Sequence, residues 1–227
     1  MLFPERPGAG FLVLGCLVIV MTGPQEREWA AFTIEPSSLE EAKRAIFHLS
    51  GKFLERMDIM ERGLDKVQNS HDIVKFSRAL AMYQLAHLPT RPQTCPFCVQ
   101  HSEGNRCEGC GYALTHGGKC DAETSAFGQF IEAVYDLAGV IHGLQDGKEP
   151  KIDADEGRDL LKQSIRGSRV ATKSLIEALP WASTDQFMVI KARYIEEILK
   201  EIPSDLMASD EVDVALRYVL DKLKGYW

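Results

Sequence analysis

The sequence predicts an all-α fold, a helical bundle of about six helices with a cysteine-rich module inserted between two of its helical units. Two observations lead there. From about residue 36 onward nearly every segment repeats apolar residues at alternating threes and fours, the period of a helix with one buried face. The connections between these segments are mostly under ten residues and carry helix start and stop signals, which favours antiparallel neighbours in a bundle. Strand patterning is scarce.

Residues 1–36 are expected to form an apolar, irregular N-terminal segment, either buried or disordered. The run GFLVLGCLVIVM at 10–21 has 12 residues, whereas a membrane-spanning helix needs roughly 20, so no stable transmembrane span is expected. Glu5 beside Arg6 and the lack of a small-x-small site argue against a secretory signal. Val13-Leu14-Gly15-Cys16 is similar to a lipoprotein attachment sequence, but here the apolar run straddles the cysteine instead of preceding it. Met21, just before a polar stretch, offers an alternative start.

Residues 37–89 read as a helical hairpin. Ser38 with Glu41 has the spacing of a capping box, and Leu39, Ala42, Ile46, Leu49, Phe53, Met57, Met60, Leu64 and Val67 line one face of the helix that follows, with a bend allowed at Gly51. The second helix, from about His71 to His87, turns Ile73, Phe76, Leu80 and Tyr83 inward; Pro89 and Pro92 prevent its continuation. Residues 122–227 read as a four-helix unit packing against 37–89. Its stripes are Phe127, Phe130, Val134, Leu137, Ile141 and Leu144, ending near Gly147; then Leu161, Ile165, Leu175 and Leu179, started by Asp153 with Glu156 and halted at Pro180. Ser183 with Gln186 caps the third, bearing Phe187, Ile190, Tyr194, Ile198 and Ile202, and the last carries Val212, Leu216, Val219 and Leu223.

Residues 90–121 hold the strongest chemical signal. Cys95-Pro-Phe-Cys98 and Cys107-Glu-Gly-Cys110 are two CxxC turns separated by eight residues. Each turn points both sulfurs the same way, so the pair supplies the four thiolates of a tetrahedral, all-cysteine zinc site. A connection of about 30 residues without regular structure is anomalous in a bundle, and a structural Zn2+ removes the anomaly. Gly104, Gly109, Gly111, Gly117 and Gly118 permit the tight turns that wrap backbone around an ion. Four thiolates leave a formal charge of −2 on the site, which turn amides and the nearby Arg106 or Lys119 would offset.

The spacing resembles that of short zinc ribbons or knuckles, with a gap shorter than the roughly 15–20 residues of one ribbon class. Cys110-Gly111-Tyr112 resembles a rubredoxin knuckle, and a helical bundle joined to such a site is similar to rubrerythrin. That resemblance stops at the bundle: its di-iron centre implies ExxH pairs, and His48, His71, His87 and His142 all lack a Glu three residues before them. Cys120, a fifth nearby cysteine, keeps an iron or iron–sulfur centre as the alternative cofactor. His101 and His116 are possible replacements for a sulfur.

Composition bounds the function. A chain of 227 residues with 45% apolar content supports one core, or one core with a small satellite. The net charge of −7 argues against a nucleic-acid coat. It is uneven: residues 1–120 carry 13 acids and 13 bases, while 121–227 carry 20 acids against 13 bases. Four of the six cysteines fall in CxxC spacing and Cys16 and Cys120 lack a partner spacing, which suits a metal better than a disulfide framework and points to a reducing, cytoplasmic setting.

Against that acidic background, Arg158, Lys162, Arg166, Arg169 and Lys173 form a cationic stripe that could bind phosphates or another anion, unless acids such as Glu196, Glu197 and Glu201 neutralise it. Glu132 and Asp136, four apart, would serve metal binding or acid–base chemistry only if buried. Asp153 to Gly157 departs from a calcium loop, with glycine at its fifth position and Ser164 at its twelfth. There is no nucleophile elbow, phosphate loop, dinucleotide fingerprint or HExxH.

The expectation is therefore a zinc-stabilised helical protein that binds or assembles with a protein partner and is not an enzyme. The alternatives are a nucleic-acid-associated factor using residues 158–173 with the zinc module, and an iron- or other metal-dependent redox enzyme.

Overall fold

A computed structural model describes residues 10–14, 17–21, 24–101, 109–116, 118–144 and 152–227. Among the described residues, every regular element from residue 24 onward is helical. Nine α-helices occur there: α1 Pro24–Phe32, α2 Pro36–Gly63, α3 Ser70–Ala86, α4 Pro96–Gln100, α5 Gly111–Thr115, α6 Ala126–Gly143, α7 Ala154–Ala178, α8 Thr184–Lys200 and α9 Asp210–Leu223. None is long and apolar enough to cross a membrane.

The six expected helices are present as α2, α3 and α6 to α9, and three more accompany them. The N-terminal expectation needs the largest correction. Gly10–Leu14 (β1) and Leu17–Met21 (β2) pair as an antiparallel ladder, Gly10 opposite Met21 and Leu14 opposite Leu17, and α1 follows. The run is rich in Val, Ile, Leu and Phe, which suits paired strands, but an unbroken apolar stretch shows no period from which a strand could be read.

The start of α2 also differs from expectation. Glu35 is the N-cap and makes no side-chain cap, Pro36 occupies the first turn, and Ser38 is buried inside the helix instead of capping it. Proline explains the shift: its φ is already helical and it has no N–H to satisfy, so it begins the helix two residues before the polar pair. The helix then runs through Gly51 without interruption. Other start signals are realised as read. Asp153 accepts from the Asp155 and Glu156 amides, at 2.9 Å each, and Ser183 with Gln186 forms a reciprocal capping box. Two helices stop earlier than expected, α6 at Gly143 and α8 at Lys200.

The helices pack as α6 on α9, α7 on α8, and α2 and α3 both on α7, with α3 also against α6. The inward residues are Ala42, Ile46, Phe53 and Met57 of α2, Ile73 and Leu80 of α3, Phe130, Leu137 and Ile141 of α6, and Leu161, Ile165 and Leu175 of α7. Burying each of the larger of these side chains contributes about 1.5–3 kcal/mol. Phe97 of α4 and Tyr112 of α5 belong to this same cluster, so the cysteine-rich stretch shares the bundle core.

A polar layer crosses that core. The Gln84 amide nitrogen of α3 lies 3.2 Å from Ser164 Oγ and 2.9 Å from Ser168 Oγ on α7, and 3.0 Å from the Glu201 carbonyl oxygen beyond α8. Glycine sets one contact near the cysteines: a Cβ on Gly111 would stand 3.0–3.2 Å from Ala30, backbone atoms included, so glycine lets α5 lie against α1.

Candidate metal centre

The cysteines are positioned by two short helices and two turns. A 3₁₀ turn at Pro92–Thr94 leads into Cys95, whose amide donates to the Pro92 carbonyl at 3.0 Å. Thr94 is buried, and its hydroxyl lies 2.7 Å from both the Pro89 and Arg91 carbonyl oxygens, fixing the approach. Cys95 is then the N-cap of α4, with Pro96 in its first turn, and Cys98 lies within that helix. Cys110 is the N-cap of α5 and follows Gly109, whose φ of +79° is open to glycine at little cost. The stretch expected to lack helix thus contains two helices of five residues each, too short to display a period.

Cys120 is held from its C-terminal side. The buried Ser125 hydroxyl donates to the Cys120 carbonyl at 3.0 Å and accepts from the Gly128 amide at 2.9 Å, so one side chain both caps α6 and ties down the turn. A Cβ on Gly128 would lie 2.1 Å from the Ala122 carbonyl oxygen, so only glycine lets this turn fold back on the helix.

Cys95, Cys98, Cys110 and Cys120 line one cavity of about 150 Å3, together with Tyr112 and Lys191. The neighbouring Cys98 thiol draws the Cys95 thiol down to about 6, with further help from the Lys191 charge, and lowers Cys120 as well. Cys98 moves up because it shares its proton with these two partners, and burial raises Cys110.

Lys191 supplies the positive charge. It is 1% exposed, on α8, and its ammonium donates to the Thr94 carbonyl at 2.9 Å. Burial lowers its pKa, opposed by Cys95, Cys98 and Cys120, and the ammonium also lies 5.7 Å from the Tyr226 ring centre. Aromatic groups close the surroundings: the Tyr112 hydroxyl donates to the Tyr226 carbonyl at 3.0 Å, and the Phe97 and Trp227 rings pack on each other with centres 5.8 Å apart.

Three of the four sequence-predicted ligands, Cys95, Cys98 and Cys110, come together here. Cys107 lies outside the described residues. Cys120, the fifth nearby cysteine of the sequence, lines the same cavity. Among the described residues no three or more Cys, His, Asp or Glu side chains stand in a preformed metal-binding group. His101 and His116 do not line the cavity; His116 is stacked on Tyr112 with ring centres 3.9 Å apart. Lys191 carried a readable signal, since it falls four residues after Phe187 and three before Tyr194, on the inward face of α8.

The other candidates are placed differently. Arg158 pairs with Asp155 and donates to the Val67 carbonyl at 2.8 Å, and Lys162 lies 3.6 Å from Asp159. Arg169 bridges to Asp58 and Glu61 of α2, each at 2.5 Å. These partners lie on α7 itself and on α2, not among Glu196, Glu197 and Glu201. Arg166 and Lys173 are exposed. Glu132 and Asp136 are exposed too, without the burial that acid–base work requires.

Comparison with known proteins finds no matching family model, no similar curated protein and no similar solved structure. Fold and site together define a helical protein with four cysteines, one buried and three half-buried, lining one cavity.

Proposed function

We propose that this protein is a zinc-stabilised helical module whose role is to bind or assemble with a protein partner. The observation that supports it best is the shared cavity of Cys95, Cys98 and Cys110, contributed by two short helices and backed by a buried ammonium. Soft thiols in this number suit Zn2+, which would be held by these three and a fourth thiolate, Cys107 in the reading from CxxC spacing. Bound there, zinc supplies a cross-link between α4 and α5 and no reaction chemistry. The donor set fits: the sulfurs are partly or fully buried, and Lys191 offsets the negative charge that thiolates bring.

A protein partner is supported by two exposed aromatic side chains, Phe32 at the end of α1 and Trp181 in the turn before α8. Phe32 is 88% and Trp181 87% exposed, and Phe32 borders a cleft lined by Pro36, Leu39 and Ser183 to Asp185. Exposed aromatic side chains of this size are the usual anchors of protein interfaces.

Elemental analysis with an absorption spectrum of anaerobically purified protein tests the metal. The expected result is about one zinc per chain and no visible absorption. Protein without zinc, or with the visible bands of iron, overturns the reading. For the partner role, proteins retained by the wild-type chain in a pull-down are expected to be lost with Phe32→Ser/Trp181→Ser. Equal retention removes that surface from the proposal.

A further inference from the structure

We infer that Cys120 is the fourth metal ligand, so that the site is closed by Cys95, Cys98, Cys110 and Cys120, without Cys107 of the second CxxC pair. The inference rests on the zinc reading of the cavity and goes beyond it by naming the ligand set. Spacing along the chain favours Cys107, because a CxxC turn brings two sulfurs together locally. The fold brings Cys120 to the cavity by a longer route.

Three observations carry this. The Cys120 side chain lines the same cavity as the other three sulfurs. Its backbone is held by hydrogen bonds: Ser125, 0% exposed, donates to the Cys120 carbonyl, and the turn is closed by Ala122 N–H to Lys119 O at 3.0 Å and Ser125 N–H to Ala122 O at 2.9 Å. The third is charge. Lys191, 1% exposed, lines the cavity together with the four cysteines. A tetrathiolate zinc site carries −2, and a buried ammonium in its surroundings removes half of that.

The arrangement gives the site a structural meaning that two CxxC turns alone would not have. Cys95 and Cys98 come from α4, Cys110 from the start of α5, and Cys120 from the turn that enters α6. An ion bound by all four joins three elements, and through Ser125 it is tied to the cap of a long bundle helix.

The test uses the full-length protein loaded with Zn2+ and needs no variant at first. Limited alkylation by N-ethylmaleimide, with and without chelator, is mapped by mass spectrometry. Cys120 is expected to be protected while zinc is bound and to become reactive on chelation, whereas Cys107 reacts in both states. Cys107 protected with Cys120 modified overturns the inference, as does equal protection of the two. The second arm substitutes Co2+ in Cys107→Ser and Cys120→Ser: the first is expected to keep the wild-type tetrathiolate spectrum and the second to lose it. The opposite pattern overturns the ligand assignment while leaving the zinc reading standing. A wild-type protein that binds neither Zn2+ nor Co2+ removes both.

Discussion

Lys191 donates a 2.9 Å hydrogen bond to the carbonyl oxygen of Thr94, the residue immediately before Cys95, from a position with 1% exposure. An ammonium so placed is expensive to bury unless negative charge lies close by. Zinc bound at the neighbouring cysteines would hold them as thiolates and supply that charge. Lys191→Met keeps the volume and removes the charge. Zinc affinity, measured by chelator competition, is expected to fall by about 10-fold or more, the usual consequence of losing a partner of the ligands. The metal-free variant should lose no more than about 1–2 kcal/mol, because relief of the burial cost offsets the carbonyl left without its donor. Unchanged zinc affinity would mean that the ammonium serves Thr94 alone.

Chelation should act locally before it acts globally. Phe97 and Tyr112 join the bundle core from two five-residue helices, and helices of that length have little stability of their own. Removing the ion is expected to open residues 90–121 to limited proteolysis while far-UV circular dichroism loses little, since α2, α3 and α6 to α9 hold most of the helical residues. Cleavage spread evenly over the chain, or no new cleavage at all, would contradict a zinc-held segment.

Arg169 is the cation of the α7 stripe that bridges to acids on another helix, with Asp58 and Glu61 of α2 both at 2.5 Å. Its side chain is 19% exposed, but the acids are 58% and 33% exposed, so solvent screens the pairing. Arg169→Ala is expected to cost about 1 kcal/mol in urea denaturation, near the upper end for such pairs. Charge reversal at the exposed Arg166 and Lys173 should stay within about 0.5 kcal/mol. If the reversal instead abolished a salt-sensitive nucleic-acid affinity, the stripe would be an interface and not a solvated flank.

The legible parts of this molecule are those whose cause is local. The apolar stripe of α6, Phe130, Val134, Leu137 and Ile141, is buried as its spacing demands, and the Ser183 and Gln186 box is formed by residues three apart. Ser38 and Glu41 show the same local pattern, yet Pro36 starts the helix before them, a competition that capping spacing alone does not resolve. The uniform run before α1 hides a hairpin because it offers no polar alternation to read. At the site, the sulfurs of Cys95 and Cys98 could be paired by spacing, but the approach of Cys120 depends on Ser125 and on the absence of a Cβ at Gly128. Lys191 comes from an element almost a hundred residues away in the chain, and contacts at that separation are set by packing and leave no local pattern.

His87 lets the pH dependence of the bundle be separated from that of the cysteines. Its Nδ1 donates to the Tyr83 carbonyl at 2.9 Å, its ring stacks on Tyr83 at 4.8 Å, and the Phe53 ring centre lies 5.3 Å away. Burial holds its pKa below the ordinary 6.5; the positive charges of Arg91 and Arg56 act in the same direction, and the Tyr83 carbonyl partly opposes them. The folded state thus binds a proton at His87 less readily than the unfolded chain does. Its contribution to stability is full above pH 6.5, the unfolded value, and is lost as pH falls through the lower folded value. His87→Phe keeps a ring against Tyr83 and Phe53 and cannot titrate. Urea denaturation at a series of pH values from neutral down to mildly acidic should show wild type losing stability relative to the variant as pH falls below the ordinary histidine range. A constant difference between the two proteins would mean that His87 carries no proton linkage.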